Sequence, residues 1–236
     1  HVTKPFTPWK NLNELVEFYE KNDIKSSFFF LTRDNKVGAI KNADYKIDSS
    51  YILHAMKEIK TNLHEIGIHG SYRTHDQSDQ FISEIEQIPL QINGGRFHFL
   101  QFEQSITPEI LDSVEIKKDS TLGFQETIGF RNSVCTPFKL YNFETKKPYD
   151  FIEVPLNIMD CSLEFTHYMN LEPAEAFERI KNLVTEIKQF NGNVCINWHN
   201  TYFSDYQKKS WKQLYTKTIE VLLNENCNFY TIDSLR

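Results

Sequence analysis

Six short apolar segments, separated by helical patterns, constrain this chain more than any other feature. They are SSFFFLT (26–32), EIGIHGS (65–71), GGRFHFL (94–100), DSTLGF with GFR close behind (119–131), FIEVPLNIMD (151–160) and VCINWHN (194–200). All but the first end in reactive side chains just where a strand should give way to a loop. Alternating β and α units argue a mostly parallel sheet, closed or nearly so. In a βα-repeat barrel the carboxyl ends of the strands and the loops after them face one mouth, and chemistry collects there. His69, Arg96, His98, Asp160 and His199 are therefore expected to converge, although they lie far apart in sequence.

The intervening stretches supply the helices. Leu12, Leu15, Val16 and Tyr19 fall at helical spacing, as do Ile52, Met56 and Ile59. Phe81, Ile82 and Ile85 mark a third helix that Asp76 or Ser78 could cap. Thr107-Pro108 has the form of an N-cap followed by proline at the first helical position. The clearest helix follows Pro173, with Phe177, Ile180, Val184 and Ile187 on its inner stripe and Gly192 beyond its end. Trp211, Leu214, Ile219 and Leu222 mark the last. The stretch PFKLYNFETKKPYD reads as a β-excursion, and NFYTIDSLR as a closing strand.

At 236 residues the chain suits one α/β domain, 1–236, with room for a substantial core. A net charge of −6 without a basic stripe argues against a nucleic-acid partner. No apolar run reaches the length of a membrane span, and no signal-peptide pattern opens the sequence. Cys135, Cys161, Cys195 and Cys227 are scattered, without a C-x-x-C pair, and read as reduced thiols; Cys195, inside an apolar strand, reads as core. This cysteine usage leans toward a cytoplasmic protein, with the periplasm open if an upstream signal was removed. The oligomeric state is not legible.

Each reactive residue has a functional and a structural reading. His199, at the exit of an apolar strand beside Trp198, is a general acid or a metal ligand, or a rim histidine held for packing. His69 is a metal ligand, with Gly70 allowing a sharp turn behind it; His75, six residues on, is the candidate second imidazole. Arg96 and His98 share one strand face by their period of two and need polar partners, either a site carboxylate or a structural salt bridge. Asp160 orients a histidine or caps a turn. Arg131 binds a substrate oxygen or braces its loop. Tyr72, Trp198 and neighbouring aromatics suit the apolar faces of sugars, or simply pack. Glu153 is central to its strand and less suggestive.

Taken in order, EIGIHGSY, GGRFHFLQF, DSTLGFQETIGFRNSVCTPF, EVPLNIMD and NWHN resemble the polysaccharide deacetylase superfamily (NodB homology, carbohydrate esterase family four). The closer likeness is to a bacterial branch carrying GLHPSY, R-x-H-Y-L-R-F, D-S-T-x-G-F, E-V-P-L-x-x-M-D and W-H-N. The likeness runs over nearly the whole chain. It implies a distorted (β/α)7 barrel and hydrolysis of N- or O-acetyl groups on sugars of a surface polysaccharide or lipopolysaccharide precursor. It implies a divalent metal, usually Zn2+, bound by His69. Arg96 would orient a catalytic base, His199 would be the general acid and Asp160 its partner. Arg131, His98, Tyr72 and Trp198 are the candidate substrate contacts.

Two departures stand out. The family's acidic first motif, Asp-x-Asp or Asp-Asp, is not in the sequence, whose HVTKPFTPW resembles the loop that follows that motif. Four residues after His69 stands Arg73 where the wider family has a second histidine, so a further ligand could come from a segment upstream of His1, or His75 or His98 could substitute. Two rival functions remain from the residues alone: a glycoside hydrolase, which needs a second carboxylate beside Asp160, and a sugar-binding barrel without catalysis.

Overall fold

The computed structural model describes residues 11–114, 116–206 and 208–235. The segment HVTKPFTPW therefore lies outside the described residues. Five strands form one parallel sheet: β1 (Ser27–Phe30), β4 (Glu65–Gly70), β5 (Gly94–Phe97), β6 (Lys118–Asp119) and β9 (Ile152–Glu153), adjacent in that order. A second parallel pair, β10 (Ile158–Met159) and β11 (Ile196–Asn197), continues from it. The join is made by Leu156 N–H donating to the Leu122 carbonyl at 3.1 Å and by Asn157 N–H donating to Cys195 at 3.1 Å. Two antiparallel hairpins lie outside these sheets: β2 (Lys36–Val37) with β3 (Ile40–Lys41), and β7 (Tyr141–Asn142) with β8 (Lys147–Pro148). The second is the expected excursion; the first lies in the polar stretch DNKVGAIKNADYKIDSS, which offers no strand pattern in the sequence.

The helices follow the apolar stripes: α1 (Asn11–Lys21), α2 (Ser50–Thr61), α3 (Ser78–Glu86), α4 (Thr107–Ser113), α5 (Asp160–Glu164), α6 (Pro173–Gln189) and α7 (Lys209–Asn224). In α6 the Glu172 side chain takes the N3 amide while Glu175 returns to the Glu172 amide, a reciprocal cap, with Pro173 at the first position. In α3 the cap position is Gln77, whose side chain makes no cap bond to the helix, so neither Asp76 nor Ser78 caps it. Ile106, not Thr107, occupies the cap of α4; the Thr107 hydroxyl instead accepts the Glu103 amide at 2.8 Å and donates to the His75 carbonyl at 3.0 Å.

The two largest buried apolar clusters support the strands. Ile52, Ile59, Ile68, Phe81, Phe97 and Phe151 fill the side under α2 and α3. Ile158, Leu163, Ile180, Ile187, Trp211 and Leu214 fill the side under α6 and α7. Gly70 is needed for space: a Cβ there would lie 2.3 Å from the Phe97 ring. Gly70 itself ends β4, and the backbone reaches the left-handed region only at Arg73, with φ 65°.

Two strand expectations change. The chain leaves β5 at Phe97 and turns through Phe99 and Leu100, whose φ angles are 58° and 51°. His98 therefore sits on a tight turn instead of alternating with Arg96 along a strand. The terminal segment 228–235 forms no strand. It crosses the amino ends of β1, β4 and β6, where polar side chains satisfy its backbone. Ile232 N–H reaches the Ser27 hydroxyl at 2.8 Å, Asp233 N–H the Glu65 carboxylate at 3.0 Å, and Lys118 the Leu235 carbonyl at 2.6 Å.

Candidate active site

The carboxyl ends of β4, β5, β10 and β11 carry the reactive groups. His69 and Arg96 are register partners on β4 and β5, while Asp160 and His199 follow the paired Met159 and Asn197 on β10 and β11. A cavity of about 580 Å3 opens here, with His69, Arg96, His199, Trp198 and Cys195 on its walls.

Asp160 and His199 form the tightest polar contact. The Asp160 carboxylate is fully buried and accepts three hydrogen bonds: from His199 Nδ1 at 2.7 Å, from His199 N–H at 2.6 Å and from Cys161 N–H at 2.6 Å. This fixes the ring and leaves Nε2 as its remaining nitrogen. Burial opposes protonation of His199, but the charge and hydrogen bond of Asp160, aided by Cys161, outweigh it and hold the imidazole well above its ordinary value. The His199 side chain keeps 38% of its exposure, enough to meet a ligand.

His69 and His98 form a second pair, with ring centroids 5.0 Å apart. His69 Nδ1 lies 2.8 Å from the Arg96 carbonyl, so that nitrogen carries the proton and Nε2 keeps its lone pair. His98 Nδ1 is buried without a hydrogen-bond partner. Both rings are kept neutral. Burial first, then the neighbouring imidazoles, pushes His69 well below its usual value, and burial with the His199 charge lowers His98 to about 4. Two neutral imidazoles with free nitrogens, one braced by a carbonyl behind it, are a donor set suited to a divalent cation. Asp160, Cys161 and His199 also place three ligand-type atoms within 4.8 Å of one another. There, however, both carboxylate oxygens are already engaged by hydrogen-bond donors, the arrangement of a side chain that orients an imidazole.

Arg96 is buried, 6% exposed. Its Nε donates to the Ser120 carbonyl at 2.6 Å and one Nη to the Ser120 hydroxyl at 2.8 Å, with the guanidinium over the Phe29 ring at 5.3 Å. Among the described residues no carboxylate lies within 4.0 Å of it, so neither a site carboxylate nor a direct salt bridge is its partner. Cys195 faces this group, its sulfur 3.6 Å from the same Nη, and lines the cavity while packing against the buried cluster of Leu100, Leu156 and Met159. All four cysteines are free.

The remaining candidates spread outward. His75 lines a separate hollow of about 370 Å3 with Phe99, Phe124 and Arg131, and its ring meets Phe97 edge-on at 6.5 Å. His98, not His75, is the imidazole beside His69. Arg131 braces the mouth by donating to the carbonyls of Gly123 at 3.2 Å and Leu100 at 3.3 Å. Tyr72 packs against Phe99 at 5.5 Å, and Phe99 in turn lies 4.4 Å from His98. Trp198 is held between Trp211 and Tyr215 at 6.3 and 5.0 Å. The places of Phe99, Cys161 and Ser120 are not read from the sequence; adjacency to His98 and Asp160 is the one signal that could have found the first two.

No protein-family model and no curated protein sequence matches the chain. Solved structures do. A Mycobacterium smegmatis protein described as a polysaccharide deacetylase superposes with a TM-score of 0.67 at 14% identity, over 96% of this chain and 75% of that one. Puue allantoinase superposes at 0.66 with 13% identity, over 94% of this chain and 69% of its own. At these identities the likeness shows a shared fold, the α/β deacetylase-like distorted barrel with a parallel sheet. Among the described residues no helix is long and apolar enough to cross a membrane.

Proposed function

We propose that the chain is a divalent-metal-dependent hydrolase that removes acetyl groups from a carbohydrate. The observation that carries this reading is that two kinds of imidazole come together: neutral His69, with His98 beside it, shares a cavity wall with cationic His199, which is aligned by buried Asp160. The shared fold with a protein described as a polysaccharide deacetylase supports it, and so do the ordered motifs. The cation, zinc by resemblance, would be held by His69 Nε2 and His98. When bound there it supplies Lewis-acid polarisation of the acyl carbonyl and acidification of water.

The chain's own residues supply the rest. His199 enters the reaction protonated, because Asp160 holds the charged form, and its Nε2 hydrogen passes to the departing amine or alkoxide. Asp160 is too enclosed to touch substrate and acts by fixing ring orientation and charge. The Arg96 guanidinium adds fixed positive charge to the wall where negative charge develops on the acyl oxygen. Phe99, Tyr72 and Trp198 offer apolar faces to a sugar ring. Arg131 shapes the entrance.

Acetate release from a panel of acetylated glycans tests this. Chelator-treated protein should be inactive and regain activity with Zn2+, Co2+ or Mn2+. His199→Ala should lose roughly 10²–10⁴-fold in turnover, the usual contribution of a general acid, while keeping its circular dichroism spectrum. Full activity of that variant, or activity indifferent to chelation, overturns the proposal.

A further inference from the structure

Behind the cavity wall, Asp119 on β6 and Glu153 on β9 are register partners on adjacent parallel strands, so their side chains leave the sheet on the same face. Both are fully buried, and their carboxyl groups are in hydrogen-bonding contact. Two carboxylates cannot share such a space fully charged, because desolvation and mutual repulsion act together.

The donors around them distinguish the two groups. Asp119 accepts from the Thr121 hydroxyl at 2.9 Å on one oxygen and from Thr121 N–H at 3.0 Å on the other. Glu153 accepts from Leu122 N–H at 2.8 Å through Oε1, while its buried Oε2 has no donor facing it. An oxygen in that position is satisfied only if it carries a proton and gives it to Asp119. The charged group that acts on both is Arg96, a buried part of the cavity wall without an ion-pair partner of its own among the described residues. Lys118, next in the chain to Asp119, is turned away to the Leu235 carbonyl.

We infer that Glu153 is a neutral acid hydrogen-bonded to ionised Asp119, and that this singly charged pair is the buried counter-charge positioning Arg96. One proton shared between two carboxyls leaves a net charge of −1, which balances one guanidinium; two ionised carboxylates or two neutral acids would not. Burial, and then the Asp119 charge, pushes the Glu153 carboxyl well above its usual range, and burial raises Asp119 as well. The pair also fixes the turn carrying Ser120, whose carbonyl and hydroxyl hold the guanidinium and whose hydroxyl donates to Val154 at 2.8 Å. Asp119 and Glu153 are positioning residues: they reach the cavity only through Arg96. The shared proton is a property of the folded chain, whatever its substrate.

Infrared difference spectroscopy on the full chain at pH 7 reads the proton directly. The expected result is a protonated-carboxyl carbonyl band that shifts when glutamate is 13C-labelled, stays put when aspartate is labelled, and disappears in Glu153→Gln. Absence of the band, or its movement with labelled aspartate, overturns the inference; the wild-type measurement needs no variant. Charge balance is read separately by denaturation midpoints. Asp119→Asn/Glu153→Gln should lower the midpoint by stranding Arg96, and adding Arg96→Met should recover part of the loss. A double variant as stable as wild type, or one that Arg96→Met does not rescue, contradicts the counter-charge role.

Discussion

His98 gives the sharpest quantitative prediction, because its titration is linked to the stability of the folded chain. Its imidazole is lowered from 6.5 to about 4, by burial first and the His199 charge second. A histidine kept neutral by the fold binds its proton more readily when unfolded, so acid destabilises the native state. The loss begins as pH falls through about 6.5 and is complete below about 4. For that shift the linkage relation gives about 2 kcal/mol at pH 5 against about 0.2 at pH 7. Between those pH values wild type should therefore lose about 1–2 kcal/mol through this group, the lower figure allowing for the ring's partial exposure. His199 slopes the other way: its raised value contributes stability below about 6.5 that is lost as pH rises through the folded value. Comparing wild type with His98→Gln removes that common background. Urea denaturation of chelator-treated protein at pH 7 and pH 5 is the assay. The pH 5 penalty should shrink in His98→Gln by about 1–2 kcal/mol; equal penalties in the two proteins would refute a buried neutral His98.

Further perturbations probe other parts of the account. Asp160→Asn should move the alkaline limb of the acetate-release pH profile to lower pH, since the charge holding His199 protonated is gone; an unmoved limb contradicts the orienting role. Gly70→Ala places a methyl 2.3 Å from the Phe97 ring and should cost about 1–3 kcal/mol in chemical denaturation. Ile158→Ala, at a fully buried position on β10 packed under α6, should lose about 2–5 kcal/mol. Arg131→Ala, exposed and bonded only to two carbonyls, should change stability by less than about 1 kcal/mol.

Several parts of this arrangement are legible in the sequence, and the rest fails for identifiable reasons. Period and length place most of the parallel strands and the helices other than α5, because one apolar stripe or run suffices to define each; five-residue α5 is too short to show a stripe. The pairing of Asp160 with His199 follows from strand-end position and from the family motifs together. His98 is misplaced on a strand because alternation with Phe97 and Phe99 mimics a β period, while the left-handed turn at Phe99 and Leu100 has no glycine to announce it. The terminal NFYTIDSLR has strand composition, yet polar strand starts at Ser27, Glu65 and Lys118 capture its backbone first. Glu153 looks inert in sequence because its importance depends on a register partner contributed by another strand.

Zinc binding by the chelator-treated chain, followed by isothermal titration calorimetry, tests the central claim most directly. The account predicts one tight site, weakened at least roughly tenfold by His69→Ala and by His98→Ala, as expected for lost ligands, and unaffected by His75→Ala. Undiminished binding in the first two variants, or loss of binding in the third, would contradict it.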